Sequence, residues 1–412
     1  MLTSPRFLFT LALLTTAAAA QAENWPHWRG DNGNGVSLTA QPPTQWSDTK
    51  NVKWKVAVPG LGSSSPVIWD NQVFVTSAVG SDELSFKLFC FDRETGELRW
   101  ERTAVTAKPH EGTHSTNGFA SASPCTDGAH VYAHFGSRGL HCYTLDGELK
   151  WSRDFGDMAT RNTFGEGSSP TLAGDMILVP WDHEGPSALY AVDKHNGEIL
   201  WKTNRDEPTN WATPLVIEVN GKAQVIMNGE NHAAAYDLET GEEIWRCGGQ
   251  TQRPVASPVH ADGIVYIGSG FRGSFLGAFR PDGKGDIEGS DKVIWTVDRD
   301  TPDIASLLLS DGRLYFHKAK TGILSCFEAT TGKRHFGPER IPGVNSVYAS
   351  PIAAGGHVYL TDRSGATTVI KDAAQLEVVA TNSVGEPVDA TPAPVDDELF
   401  IRGEKHLFCI SE

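Results

Sequence analysis

The sequence predicts an all-β ring, an eight-bladed β-propeller of four-stranded antiparallel blades. Three observations predict it. First, an eleven-residue unit recurs: CFDRETGELRW at 90–100, AVDKHNGEILW at 191–201, AYDLETGEEIW at 235–245 and CFEATTGKRHF at 326–336, with a copy one residue shorter, CYTLDGELKW, at 142–151. Second, a Ser or Thr, followed by Pro in all but one case, recurs at Ser65, Ser123, Ser169, Thr213, Ser257, Ser306, Ser350 and Thr391, at separations of 58, 46, 44, 44, 49, 44 and 41 residues. Third, the eighth copy lacks its Trp-bearing strand, while a spare one, NVKWKVAV at 51–58 with Trp54, stands ahead of the first copy. A period of roughly 40–50 residues with four strands per unit is the signature of propeller blades. Joining the last blade to the first strand leaves no open ring edge.

Each part of the repeat has a physical reason. In the eleven-residue unit the acid at the third place closes an Asx-turn, the Gly supplies a positive φ, and the aromatic at the end packs on a neighbouring sheet. Trp54, Trp100, Trp151, Trp201, Trp245 and Trp295 are the expected docking residues. After each Ser/Thr step comes a turn and a β-rich run such as QVFVTSA, HVYAHFG or IVYIGSG. Several of those turns are Asp-Gly or Asn-Gly, at Asp127, Asn220, Asp262 and Asp311, which is a strong hairpin signal.

Taken in order, residues 1–22 read as a signal peptide. Arg6 is its one charged residue, 7–20 is apolar but too short to span a bilayer, and Ala20-Gln21-Ala22 fits a cleavage site before Glu23. No Cys follows the apolar region, so no lipid anchor is expected, and no other apolar run approaches the roughly 18 residues of a membrane helix. The expected product is exported, periplasmic or secreted. Residues 23–43, rich in Gly, Asn and Pro, are expected to form an ordered strap that Trp25 and Trp28 anchor, with 44–412 a single propeller domain. The formal net charge of −16 repels nucleic acid and anionic lipid.

Six cysteines in an exported chain invite a disulfide reading. Cys90, Cys142, Cys326 and Cys409, however, fill the slot that Ala191, Ala235 and Ala278 fill in other blades. Equivalent strands of packed sheets lie about 10 Å apart, beyond the ~7 Å limit for a disulfide, so small buried thiols are expected.

The residues that could carry chemistry lie in loops. His110 and His114 flank Glu111 in the longest interruption, but Pro109 and Gly112 oppose the helix that would align them as metal ligands, so a polar rim loop is expected. Asp182, His183 and Glu184 form a dense polar cluster after the second strand of blade three. Adjacent strand residues point to opposite faces, so convergence needs a backbone turn, which Gly185-Pro186 supplies. Phe271 and Arg272 hold the corresponding place in blade five, and residues 228–232 in blade four. With Trp211, these are the candidate rim or binding residues. Residues 282–288 read as a surface extension, without the acidic alternation of a calcium loop. No G-x-S-x-G, Walker or H-E-x-x-H sequence is present, and no catalytic set is expected.

The A-x-D-x-x-T-G-x-x-x-W unit resembles the docking repeat of the PQQ-like propeller superfamily, which includes pyrroloquinoline-quinone dehydrogenases and BamB-type outer-membrane assembly factors. Motif order over nearly the whole chain resembles exported members of planctomycete-type bacteria: Trp25-x-x-Trp28-Arg29-Gly30, Gly62-Ser63-Ser64-Ser65-Pro66, Asp182-His183-Glu184-Gly185-Pro186, Gly268-Ser269-Gly270-Phe271-Arg272-Gly273 and Val347-Tyr348-Ala349-Ser350-Pro351. The dehydrogenases carry a vicinal Cys-Cys ring, and no two cysteines here are adjacent. Their calcium-ligating Glu and Asn and their catalytic Asp find no matching positions. The resemblance therefore implies a monomeric, non-catalytic envelope scaffold that holds a protein partner, with no cofactor expected. The alternatives are a quinoprotein oxidoreductase using PQQ with calcium, which buried carboxylates and Arg converging in the channel would favour, and a carbohydrate binder. An exposed aromatic patch would favour partner or glycan binding.

Overall fold

The computed structural model describes residues 23–412; the expected signal peptide lies outside them. Eight sheets surround one axis, each built on four antiparallel strands running from the channel outward. Blade one comprises Val67–Trp69, Gln72–Gly80, Leu84–Asp92 and Leu98–Ala107. Blade eight pairs Ala393–Val395, Glu398–Arg402 and His406–Ile410 with Val52–Ala57 from the start of the ring. The spare Trp-bearing strand thus closes the ring. Ion pairs hold this seam: Lys53 to Glu398 at 2.7 Å, and Arg93 to Glu398 and Asp396 at 2.6 and 2.7 Å.

The register explains the repeat residue by residue. The small residue that opens each unit sits directly across from the aromatic that ends it: Cys90 opposite Trp100, Cys142 opposite Trp151, Ala191 opposite Trp201, Ala235 opposite Trp245, Ala278 opposite Trp295, Cys326 opposite Phe336 and Cys409 opposite Trp54. All six cysteines are free and buried. A larger residue there would strike the indole.

Each indole then docks on the turn of the next blade. The Nε1 of Trp54, Trp100, Trp151, Trp201 and Trp295 donates to the carbonyls of Arg93, Leu145, Lys194, Leu238 and Ala329 at 2.7–3.0 Å. The turn glycine lies under the ring. A Cβ on Gly96, Gly147, Gly197, Gly241 or Gly332 would fall 2.5–2.9 Å from that indole, and all five have φ near +70 to +82°. Positive φ and lack of a side chain are both needed, which only Gly meets. In the turn itself, Asp92 Oδ1 accepts the amides of Glu94 and Thr95 at 2.9 Å, and Asp237 does the same for Glu239 and Thr240 at 3.0 Å.

Trp245 departs from the rule. Blade five has no such turn, so the Trp245 Nε1, although wholly buried, finds no partner. The segment expected to be a surface extension covers it instead. Gly285–Asp286 adds a fifth, parallel strand beside Trp245 and Arg246, and Ile287 is buried in the same cluster.

Candidate functional site

The Ser/Thr step is the innermost structural feature. Each of the eight residues donates its backbone N–H to the side-chain oxygen of its counterpart in the next blade: Ser65 to Ser123, then Ser169, Thr213, Ser257, Ser306, Ser350, Thr391 and back to Ser65, all at 2.8–3.1 Å. The result is a closed circle of hydrogen bonds around the channel. A hydroxyl is required because the ring's amides are buried at the start of the innermost strands, and a buried N–H must be paired.

One end of the channel is plugged. Strap residues engage the far ends of the innermost strands: Trp25 bridges Ile68 through paired backbone bonds of 2.8 and 2.9 Å, Pro26 accepts from Thr126, Asn34 exchanges two bonds with His260, Ser37 donates to Ala353 and Gln41 to Asp396. Arg29 is wholly buried and reaches Asn34 and Leu307 carbonyls with no carboxylate beside it; burial alone pulls its pKa down to about 9. Trp25 is an anchor, whereas Trp28 is only half-buried and floors a cavity.

That cavity is a blind funnel of about 370 Å³, opening on the face away from the strap. Seven members of the hydroxyl ring surround its base, and its wall comes from the loops that precede each ring residue. Phe164 packs edge-on to His114 at 4.9 Å and lies 6.5 Å from Trp211, whose indole donates to Gly165 at 2.7 Å. Across the funnel, Arg253 stacks on Phe271 at 3.7 Å and Arg363 on Tyr348 at 4.0 Å. The acids behind these cations are engaged: Asp303 with Arg253 at 2.9 Å, and Asp389 with Arg363 through two bonds of 2.6 and 2.9 Å. His114 and Lys320 are exposed at the mouth.

Backbone strain is concentrated on the same face, Arg29 in the strap and Asn51 before the closing strand being the exceptions. Five Asp or Asn residues with positive φ (Asp70, Asn220, Asp262, Asp311, Asp396) sit in hairpin turns, where that conformation is ordinary. Asn162, Thr163, Arg253, Arg272, Asp300 and Ala319, with φ of 48–57°, all lie on funnel-side loops of blades two to six. Such residues persist where surrounding contacts hold them and concentrate at binding sites.

The residues singled out from the sequence divide into two groups. His114, Trp211 and Phe271 meet in the funnel. The others do not. His110 donates its Nε2–H to the Met158 carbonyl, 2.6 Å away, and does not meet His114 as a co-ligand. Asp182, His183 and Glu184 diverge. Asp182 is buried against Arg205 at 2.9 and 3.1 Å. His183 Nδ1 accepts the amides of Ala159 and Gly185, so its proton sits on Nε2, and burial lowers its pKa. Glu184 is exposed and pairs with Arg161, which also reaches Glu230; with Arg272 these three line a shallow rim pocket. Glu230 in turn accepts the Arg253 amide at 3.0 Å, which ties the rim to the funnel wall.

Phe164, Tyr348, Arg253, Lys320 and the hydroxyl ring were not singled out by sequence reasoning. Tyr348 stood within the V-Y-A-S-P motif and the ring within the Ser/Thr period, but both read as markers of repeat spacing.

The donor set does not fit a calcium-held quinone. The cysteines are inside strands, Asp389 is held by Arg363, and among the described residues no three His, Cys, Asp or Glu side chains converge.

The fold and funnel define a closed eight-bladed propeller of the PQQ-like class with a plugged channel. A family model described as outer membrane protein assembly factor BamB matches residues 31–166, 86–337 and 234–412, and the chain belongs to this family. Solved structures share the fold at low identity. BamB from Moraxella catarrhalis is 12% identical with a TM-score of 0.58 over 88% of this chain and 97% of its own. Quinohemoprotein alcohol dehydrogenase from Comamonas testosteroni is 12% identical with a TM-score of 0.66, over 94% and 80%. The quinohemoprotein alcohol dehydrogenase ADHIIG of Pseudomonas putida HK5 is 11% identical with a TM-score of 0.63, over 94% and 80%. No curated protein matches by sequence.

Proposed function

We propose that the chain is an exported, monomeric, non-catalytic propeller that holds a partner protein in the cell envelope, with the funnel as its grip. One observation carries this reading: four half-buried aromatic residues, Trp211, Phe271, Phe164 and Tyr348, line the funnel, while the acids at its wall are neutralised by Arg363 and Arg253. Aromatic anchors in a desolvating concavity are what protein recognition uses. A general base would need a free carboxylate or imidazole facing a ligand, and the one such imidazole in the funnel lining, His114, stands exposed at the mouth with its Nδ1 bonded to Thr116. Of the carboxylate–guanidinium pairs that would favour an oxidoreductase, Asp182–Arg205 lies in the wall between blades three and four, whereas Asp303–Arg253 and Asp389–Arg363 stand at the funnel wall with each acid held by its Arg. Membership of a family described by an assembly factor supports the same reading, and no helix among the described residues is long and apolar enough to cross a membrane.

The test is affinity capture from envelope extract, using the chain from Glu23 beside a Trp211→Ala, Phe271→Ala variant. A defined partner retained by the first and lost by the second, at unchanged melting temperature, is expected. Calorimetric titration with PQQ plus calcium and a dye-linked alcohol or sugar oxidation assay is run on the same sample. Micromolar PQQ binding with turnover, or capture indifferent to the double substitution, overturns the proposal. Aromatic walls beside hydroxyls also suit sugar stacking, so a panel of oligosaccharides forms the third arm.

A further inference from the structure

The hydroxyl ring has an asymmetry that its structural role does not consume. Every one of the eight side-chain oxygens accepts a neighbour's N–H, yet none donates its own proton to any acceptor among the described residues. All eight residues are more than nine-tenths buried, and seven border the funnel base. An accepted N–H fixes one lone pair and leaves the O–H free to turn toward the axis. The charged groups at the wall have the same bias. Arg253 pairs with Asp303, whose carboxyl Lys320 also stabilises through space, Glu230 accepts the Arg253 amide, and Asp389 is fully engaged. On a chain of net charge −16, the funnel is therefore a locally positive site whose ring of hydroxyls has protons free to be donated.

Resting on the reading of the funnel as a protein grip, we propose that its base receives a carboxylate carried on an extended segment of the partner protein, an acidic side chain or a C-terminus beside an aromatic residue. The aromatic packs between Trp211 and Phe271, the carboxylate is met by ring hydroxyls below, and Lys320 at the mouth attracts it through space. Charge complementarity argues for this occupant, because an acidic partner surface would be repelled everywhere else on the chain. A volume of about 370 Å³ admits a short segment tip, at the lower end of ordinary ligand pockets.

The test begins with selection of displayed random heptapeptides on the chain from Glu23, depleted against Lys320→Glu, an exposed position without an ion pair. Enriched peptides are then titrated calorimetrically in three forms: as selected, with Asp and Glu changed to Asn and Gln, and with an amidated C-terminus. Removing the carboxylate is expected to weaken binding about tenfold or more, as is Lys320→Glu. Thr213→Val removes the hydroxyl but also the acceptor of the Ser169 N–H, so its weaker binding is read only at an unchanged melting temperature and beside Thr213→Ser, which keeps the oxygen and is expected to bind as the parent does. Peptides that bind with less than about a twofold change on neutralisation leave the protein grip standing and overturn the carboxylate inference. Failure to enrich any peptide removes both. Benzoate or acetate binding as tightly as the peptide assigns the site to small free acids and overturns the docked segment.

Discussion

The circle of Ser and Thr hydrogen bonds makes a sharp prediction about Ser257. Its hydroxyl accepts the Thr213 N–H at 2.8 Å, and both residues are almost wholly buried. Ser257→Ala removes the acceptor and leaves that N–H without a partner, a cost of about 1–3 kcal/mol for a buried donor. Ser257→Thr retains the oxygen. Thr already holds the equivalent place at Thr213 and Thr391, so the methyl fits this ring and the loss should stay below about 0.5 kcal/mol. Urea unfolding followed by both Trp fluorescence and circular dichroism measures the difference, with coincident curves as the condition for reading it as a free energy. Ser123 accepts from Ser65 across the ring and shares no partner with Ser257, so Ser123→Ala should add to Ser257→Ala within about 0.5 kcal/mol. An Ala variant as stable as the parent, or a Thr variant as damaged as Ala, would refute the hydrogen-bond account.

Three further outcomes follow from the same structure. Gly197 and Gly221 share a φ of +76°, but only Gly197 has an indole, Trp151, 2.5 Å from the site of a new Cβ. Gly221→Ala should cost about 1 kcal/mol, the left-handed penalty alone, and Gly197→Ala about 1–3 kcal/mol more by thermal or urea unfolding. Asp182→Asn leaves the Arg205 guanidinium buried without its counter-charge, and should lower stability by about 3–5 kcal/mol in the same assay. Burial holds the Glu207 carboxyl at about 7, against the coulombic pull of Arg205 and bonds from the amides of Asn231 and His232. Its folded pKa is raised, so the folded state binds the extra proton between about pH 4.5 and 7, and stability falls by about 3 kcal/mol as pH rises through that window. Glu207→Gln should flatten that part of a pH–stability profile measured from pH 4 to 8.

The ring was legible because its residues answer to the repeat alone. Trp54 had to pair with something, and only blade eight lacked a Trp strand; a small residue at 90, 142 and 326 had to face an aromatic ten or nine positions on. The funnel was only partly legible: Trp211, Tyr348 and Asp389 stand two residues before Thr213, Ser350 and Thr391, a spacing the sequence carries, whereas Phe164, Arg253 and Phe271 follow no common spacing. Phe164, Trp211, Arg253, Phe271 and Tyr348 come from loops of different length, and only closure of the ring brings them within reach of one another. Asp182, His183 and Glu184 read as a cluster because they are consecutive. Their backbone sends one into the wall, one beneath the loop at 159 and one to the rim. The segment at 282–288 read as an extension because nothing in its composition says that Trp245 lacks a docking turn.

A propeller with perfect internal symmetry would offer the same chemistry eight times around its axis. This one departs from symmetry on its funnel-side loops: strained non-glycine residues on blades two to six, guanidinium–aromatic stacks at blades five and seven, and the long loop between blades one and two. The eightfold part accounts for stability: hydroxyl ring inside, indole docking outside, and an ion-paired seam where the ends meet. None of that needs Lys320 exposed, Arg253 at a left-handed φ, or Tyr348 held between Arg363 and Thr116. Residues that the ring does not require, and that cost backbone strain to hold, are the ones a binding function must explain. That places the selective part of the molecule at the open mouth of the channel, above a floor of hydroxyl protons that the blades leave unengaged.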